Sequence, residues 1–305
     1  VTLCIIGQDK SESNLKLLAE AKKEFGSVFF VPIDSIGIGL NEQFSIRYRV
    51  TDILRFRAIL PRIPRNYSSY AYQLLSLFPE ETYMPIKPIS YLLASERFFL
   101  LTVLRKRGIA TINLNMARST NAAIRMVESG RYPMIIRTPE KKTGIVVKNR
   151  LEAKSIIDAL AHLKQPILIE DVTRDIVSAY VAEPNVIAAT KKKTKATDVL
   201  FAPGELKNHK LGLEAEQLAL DTARSMDAHI AKVDISINGS PRVVNVELNP
   251  GLAEPSRVTG VNIPGKIIES VRENYRSHTE KPVLLKFFED AKSVVRDVLR
   301  GKHLL

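Results

Sequence analysis

The chain has 305 residues, 45% of them hydrophobic, and a formal net charge of +12. That is enough apolar side chain for two or three compact units with a shared core, and it argues against a disordered chain. The single cysteine, Cys4, excludes an intrachain disulfide, and no apolar run is long enough to span a bilayer. Residues 2–6 are apolar throughout and read as a buried strand, in which Cys4 is a small hydrophobe. Helical spacing over 11–25, then short apolar runs at 28–31 and 58–60, predict a parallel α/β unit. The proline-punctuated stretch 84–90 ends that unit near residue 89 as a linker. A helix over 95–106 follows, with Ser95 as its cap and Arg107-Gly108 as its stop. A strand at 110–113, a helix at 119–129, strands at 134–137 and 144–147 around a polar connection at 138–143, and a helix at 151–163 complete a middle unit near residue 165. The last unit holds a strand at 167–169, an antiparallel pair at 176–181 and 186–189, a lysine run at 191–195 and a helix at 214–226. Strands at 233–237 and 243–248 flank Asn238-Gly239-Ser240, a strong hairpin signal. Helices at 264–275 and 282–299 close the chain, the second with a broad apolar stripe suited to docking on the body or on a second subunit. The domains expected are therefore 1–89, 90–165 and 166–305.

The opening VTLCIIG is too short and lacks the basic flank of a secretory signal, which leads to the expectation of a soluble, cytoplasmic protein. The positive charge favours anionic partners, whether nucleotides, acidic peptide tails or nucleic acid, and does not choose among them. Five scattered histidines show no metal spacing, and no Ser-His-Asp grouping is visible.

The chemistry concentrates in the last hairpin. Alternation along the second strand puts Glu247 and Asn249 on one face, with Val246 and Leu248 on the other. A turn of even length pairs Asp234 with an odd-numbered residue, so it shares that face. Three hard oxygen donors in reach of one another suit Mg²⁺, with Mn²⁺ as an alternative. A polar stripe on a half-exposed hairpin would show the same alternation.

That hairpin resembles the metal-binding end of ATP-grasp ligases, where an Asp precedes a strand ending Glu-x-Asn-x-x-Gly/Pro. The resemblance extends to RimK-like proteins along most of the chain. Pro61-Arg62-Ile63 is similar to the end of their N-terminal domain, the helix before Gly108 to the one that opens the grasp region, and 135–147 to the strand, flexible loop and strand over the triphosphate. It implies an ATP-grasp fold of α/β class, α+β in parts, with an N-terminal parallel α/β pre-grasp domain. It implies ATP and Mg²⁺, the metal held by Asp234, Glu247 and Asn249. Arg97 and Arg137 stand where the family has phosphate-binding lysines, and Gly144 would let the loop backbone approach the phosphates. Glu170, Asp171 and Val172 would bracket the adenine, and Asp175 would reach the ribose.

The activity implied is ligation of a carboxylate to an amine through an acyl phosphate, with an amino acid of glutamate type and an acidic peptide, cofactor or carrier protein as acceptor. Two departures stand out. Leu200 lies where the family has an arginine that stabilises transferring phosphate, and Val177 replaces another arginine. Lys192 or Lys193 would supply the missing positive charge, and Arg257, close after the metal strand, would hold the acceptor or its phosphate. Two other readings stay open. One is an ATP-grasp protein that binds nucleotide without ligating. The other is a basic nucleic-acid or ribosome-binding protein, which the lysine run favours. Tryptophan is absent and aromatics are 7%, so no stacking platform is evident.

Overall fold

The computed structural model describes residues 2–40, 44–139 and 144–280, and the chain enters it as a strand, β1 (Thr2–Gly7). Leu3, Cys4, Ile5 and Ile6 are all fully buried, as a central strand covered on both faces requires. α1 (Glu12–Glu24) leads to β2 (Ser27–Pro32), which runs parallel to β1 with Thr2 beside Ser27. The chain then departs from simple alternation. β3 (Ile36–Leu40), β4 (Phe44–Tyr48) and β5 (Thr51–Asp52) form a small antiparallel meander. Gly37 and Gly39 dilute its apolar pattern, which is why the sequence shows no strand there. β6 (Ala58–Arg62) completes the first sheet on the other side of β1, giving the order β2-β1-β6.

α2 (Ser68–Leu75) and α3 (Pro88–Ala94) carry the chain out of this sheet. The second corrects the expected linker: Pro88 opens a helix, where its fixed φ and missing N–H are no handicap. Ser90 in that helix is fully buried, and its Oγ donates to the Met226 carbonyl at 2.6 Å. α4 (Arg97–Lys106) is capped by Glu96, whose carboxylate accepts from the amides of Phe98 and Phe99; Ser95 instead ends α3.

The middle sheet contains β7 (Leu114–Ala117), α5 (Thr120–Glu128), β8 (Met134–Arg137), β9 (Ile145–Val147), α6 (Arg150–Ala161) and β10 (Ile167–Asp171) in chain order. Its strands are antiparallel in the order β7-β10-β8-β9. The strand expected at 110–113 is displaced to β7, and Thr111 makes an isolated bridge to Val243. Met134, Ile136, Ile167 and Ile169 point to one face and pack with Ala123 and Val127 of α5 and Ala153 and Ile157 of α6 in a cluster of their own. The opposite face carries Ile135, Arg137, Leu168 and Glu170, as alternation demands. The connection at 140–143 and the helix expected at 282–299 lie outside the described residues.

The last sheet has five antiparallel strands in the order β13-β12-β11-β14-β15. They are β11 (Ile176–Ala182), β12 (Asn185–Lys193), β13 (Glu205–Asn208), then, after α7 (Leu213–Ser225), β14 (Ile230–Ser236) and β15 (Arg242–Glu247). α7 buries Ala215, Ala219 and Ala223 against the sheet, while α8 (Ala253–Thr259) and α9 (Ile263–Glu280) fold back toward α1. Gly260 ends α8 with φ +71°, a left-handed cap that glycine adopts without steric cost. The first and last sheets share one continuous core. Among the described residues no helix is long and apolar enough to cross a membrane.

Ser90→Ala should lower unfolding free energy by about 1–2 kcal/mol, because the buried Met226 carbonyl loses a donor. The midpoint of urea unfolding, at unchanged slope, measures it.

Candidate active site

Two polar clusters carry the candidate site, one centred on the middle sheet and one on the last sheet. The first is a buried charge network. Glu170 on β10 takes a guanidinium on each carboxylate oxygen: Arg97 Nη2 at 2.6 Å and Arg137 Nη2 at 2.5 Å. All three side chains are nearly excluded from solvent. Arg137 also meets Asp198 at 3.1 Å, and the other oxygen of Asp198 accepts from the Gly144 amide at 3.1 Å. The Phe201 ring lies 4.8 Å from the Arg137 guanidinium and 5.9 Å from that of Arg97. Arg97 opens α4, where a cation opposes the helix dipole, so its place depends on Glu170 and on the Val244 carbonyl that Nε reaches at 3.0 Å. A Cβ on Gly144 would lie 2.2 Å from Ile135 Cγ2 and 3.1 Å from the Arg137 guanidinium. The glycine thus lets this backbone close over β8.

The second cluster lies on one face of the last sheet, set by register. Ser178 on β11 faces Asp234 on β14, which faces Asn245 on β15; one step along, Tyr180 faces Lys232, which faces Glu247. Ser178 Oγ donates to Asp234 Oδ1 at 2.6 Å, and Asn245 Nδ2 donates to Asp234 Oδ2 at 3.1 Å. Lys232 Nζ sits 2.7 Å from Glu247 Oε2 and 3.6 Å from Asp234 Oδ1. Burial works to discharge this lysine, but Asp234 and Glu247 outweigh it and push its pKa well above the ordinary value. A cavity of about 500 Å³ opens beside this face, bounded also by the start of α1, residues 199–204 and α8.

Arg97, Arg137, Gly144 and Glu170 come together in the charge network. Asp234 and Glu247 come together through Lys232. Asn249 lies past the end of β15 and is not among the residues lining the cavity; Asn245 is the amide that faces Asp234. Arg257 does line the cavity, with its guanidinium 3.3 Å from Glu12. Lys192 lines it too, but Nζ is spent on the carbonyls of Leu200 and Ala202, at 3.1 and 3.0 Å. Burial, the largest influence, lowers its pKa. Lys193 is exposed on β12 opposite Glu205. Asp175 pairs with Lys191 at 2.8 Å, and Asp171 is exposed and accepts from Asn113 at 3.3 Å. Val172 is half-buried beside them. The lysine run is thus divided among a carboxylate, a loop and a strand pairing, and is no continuous basic stripe.

Sequence reasoning missed Lys232, Ser178 and Asn245. The signal was present in Ile230-Ala231-Lys232-Val233-Asp234: a lone lysine inside an apolar strand, two residues from the aspartate and therefore on its face.

The donor set bears on a metal. Asp234, Glu247 and Asn245 Oδ1, which is buried without a hydrogen-bond partner, would suit a hard cation. The ammonium of Lys232, however, already bridges the two carboxylates. A divalent ion about 4 Å from that charge would be opposed by about 8 kcal/mol at an effective dielectric of about 20, before solvent screening. A metal held between Asp234 and Glu247 does not fit this arrangement.

Apart from the small meander, the three main sheets have the architecture of an ATP-grasp protein, as the likeness to solved structures shows. Residues 94–271, more than half of the chain, match the RimK-like ATP-grasp domain, and the chain belongs to that family. A probable alpha-L-glutamate ligase of Stutzerimonas stutzeri is 26% identical over 294 residues, covering 90% of this chain and 97% of its own. The ribosomal protein bS6–L-glutamate ligase of an Escherichia coli O7:K1 strain is 25% identical over 288 residues, covering 89% and 96%. Among solved structures, the ATP-grasp ligase PsnB complexed with minimal precursor matches 91% of this chain and 99% of its own, with a TM-score of 0.71 at 15% identity. A RimK domain ATP-grasp protein from Sphaerobacter thermophilus matches 88% and 99%, with a TM-score of 0.69 at 14% identity. PsnB also matches in a complex with a phosphomimetic precursor, Mg and ADP, with a TM-score of 0.70. These structural likenesses are likenesses of fold.

Glu170→Gln should destabilise the protein by about 3–5 kcal/mol, because two buried guanidiniums lose their shared counter-charge. Guanidinium chloride unfolding followed by circular dichroism measures the loss.

Proposed function

We propose that the chain is an ATP-dependent carboxylate–amine ligase that joins an amino acid of glutamate type to an acidic peptide or protein acceptor. The observation that carries this reading is the cavity beside the last sheet, where Lys192, Lys232 and Arg257 gather around one space large enough for a carboxylate substrate and a phosphoryl group. Its support from relatives is the glutamate ligases named above, one of which acts on ribosomal protein bS6, and the precursor peptide bound to PsnB. The reaction would draw on cytoplasmic ATP.

In this reading a substrate carboxylate oxygen bonds to the γ-phosphorus of ATP as the bond to ADP breaks. The amine then attacks the acyl carbon, the C–N bond forms, phosphate leaves and the amine gives up its proton. The chain's own residues bind, orient and exclude water. Arg257 sits on the rim, where its exposed pairing with Glu12 can be exchanged for an acceptor carboxylate at little cost. The backbone of Glu170, Asp171 and Val172 would meet the adenine edge, and Asp175 the ribose. Arg97 Nη1 is buried without a hydrogen-bond partner and would suit a phosphate oxygen, whereas Arg137 Nη2 is shared between Glu170 and Asp198, so a phosphate at Arg137 would compete with Asp198. A divalent ion carried by the nucleotide would bind elsewhere than between Asp234 and Glu247 while Lys232 bridges them.

The same contacts favour a second reading, nucleotide binding without ligation, because Asp198 and Phe201 occupy the arginines and Leu200 supplies no charge. Calorimetry with ATP and Mg²⁺, followed by phosphate release with glutamate and acidic peptides, separates the two. A ligase releases phosphate when carboxylate and amine are both present. ATP binding with no such release selects the second reading, and no ATP binding defeats both. In the first case Arg257→Ala should raise KM for the acidic acceptor about tenfold with kcat little changed, the mark of lost uniform binding.

A further inference from the structure

We propose that Lys232 is a resident cation of this site: its ammonium takes the position between Asp234 and Glu247 and keeps divalent ions out of it. The lysine stands opposite Glu247 in the β14–β15 register and two residues from Asp234 on the same face. Its side chain is only 19% exposed, so it is held in the sheet and does not wave above it. Nζ makes a 2.7 Å contact with Glu247 and lies 3.6 Å from Asp234, at the point that either carboxylate would use to share an ion with the other.

The surrounding donors sharpen the argument. Ser178 and Asn245 direct hydrogens to the two oxygens of Asp234, and this leaves Asn245 Oδ1 buried without a partner. Two carboxylates and an amide oxygen on one face would bind Mg²⁺ or Mn²⁺ if nothing else balanced their charge. Among the described residues Lys232 is the cation within 4 Å of both carboxylates, while Lys192, Arg62 and Arg65 act on them only from farther away. A fixed ammonium also differs from a metal in what it presents to the cavity. It offers hydrogens on one side only, and it cannot be removed by a chelator or exchanged for another ion. Lys232 would exclude the ion in the absence of nucleotide, whichever reaction the cavity hosts.

Titration of the full chain with Mn²⁺, read by loss of the free-ion electron paramagnetic resonance signal and without nucleotide, tests it. The native chain should show no saturable site in the micromolar range. Lys232→Met, which keeps the length and removes the charge, should gain one site, with affinity at least about tenfold tighter than the native chain. Lys232→Met combined with Glu247→Gln should lose it again. Lys232→Arg, which keeps the charge, should remain without a site. Circular dichroism checks that each variant is folded. If Lys232→Met does not fold, the native titration and Lys232→Arg decide alone. One tight Mn²⁺ site in the native chain overturns the proposal, and so does a folded Lys232→Met that binds no better than the native chain.

Discussion

The organisation of this protein turns on one carboxylate. Glu170, on β10, holds two buried guanidiniums, one from the start of α4 and one from the end of β8. With Asp198 the group balances two positive against two negative charges. Without that balance neither arginine could stay in a low-dielectric interior. Everything near it follows from the same balance. The first turn of α4 tolerates a cation because Glu170 meets it. Residues 198–201 lie down over the arginines because Asp198 completes the count and Phe201 offers its ring. The Gly144 backbone closes on top because it has no Cβ to strike Ile135.

The second cluster shows the same logic on the last sheet. There the strand registers, not long-range packing, bring Ser178, Lys232, Asp234, Asn245 and Glu247 to one face. Two residues of separation along a strand become side-by-side neighbours, and each carboxylate finds a donor before solvent does. Family membership rests on the sequence match over residues 94–271. The charge placement comes from the structure: two arginines on one glutamate, an amide facing the aspartate, and a lysine among the acids.

Much of this was legible beforehand, and the limits have physical causes. The final hairpin was readable because Asn-Gly-Ser dictates a turn and period-two alternation fixes the face, so the partner of Asp234 could be expected at an odd position; it is Asn245. Asn249 shares that parity but lies beyond the end of the strand, and a strand's end depends on its neighbours more than on its own residues. The helix at 97–106 was legible, its cap was not, because Ser95 closes the preceding helix and Glu96 takes the free amides. The meander at 36–52 was hidden because its strands are short and glycine-diluted, and they are stabilised by pairing with one another. Lys232 was overlooked because a lysine in a strand is ordinarily a solvated edge residue, and only the register reveals that it points between two acids.

The middle unit keeps its own apolar cluster, built from α5, α6 and the far face of its sheet. Beside the apolar contact of Leu114 with the main core, the ion pair of Glu170 with Arg97 ties β10 to α4. Such a latch has a thermal character opposite to that of an oily seam. The cost of stripping water from ions falls as temperature rises, while apolar burial gains little further. Warming should thus tighten the arginine–glutamate clasp relative to the cores on either side of it.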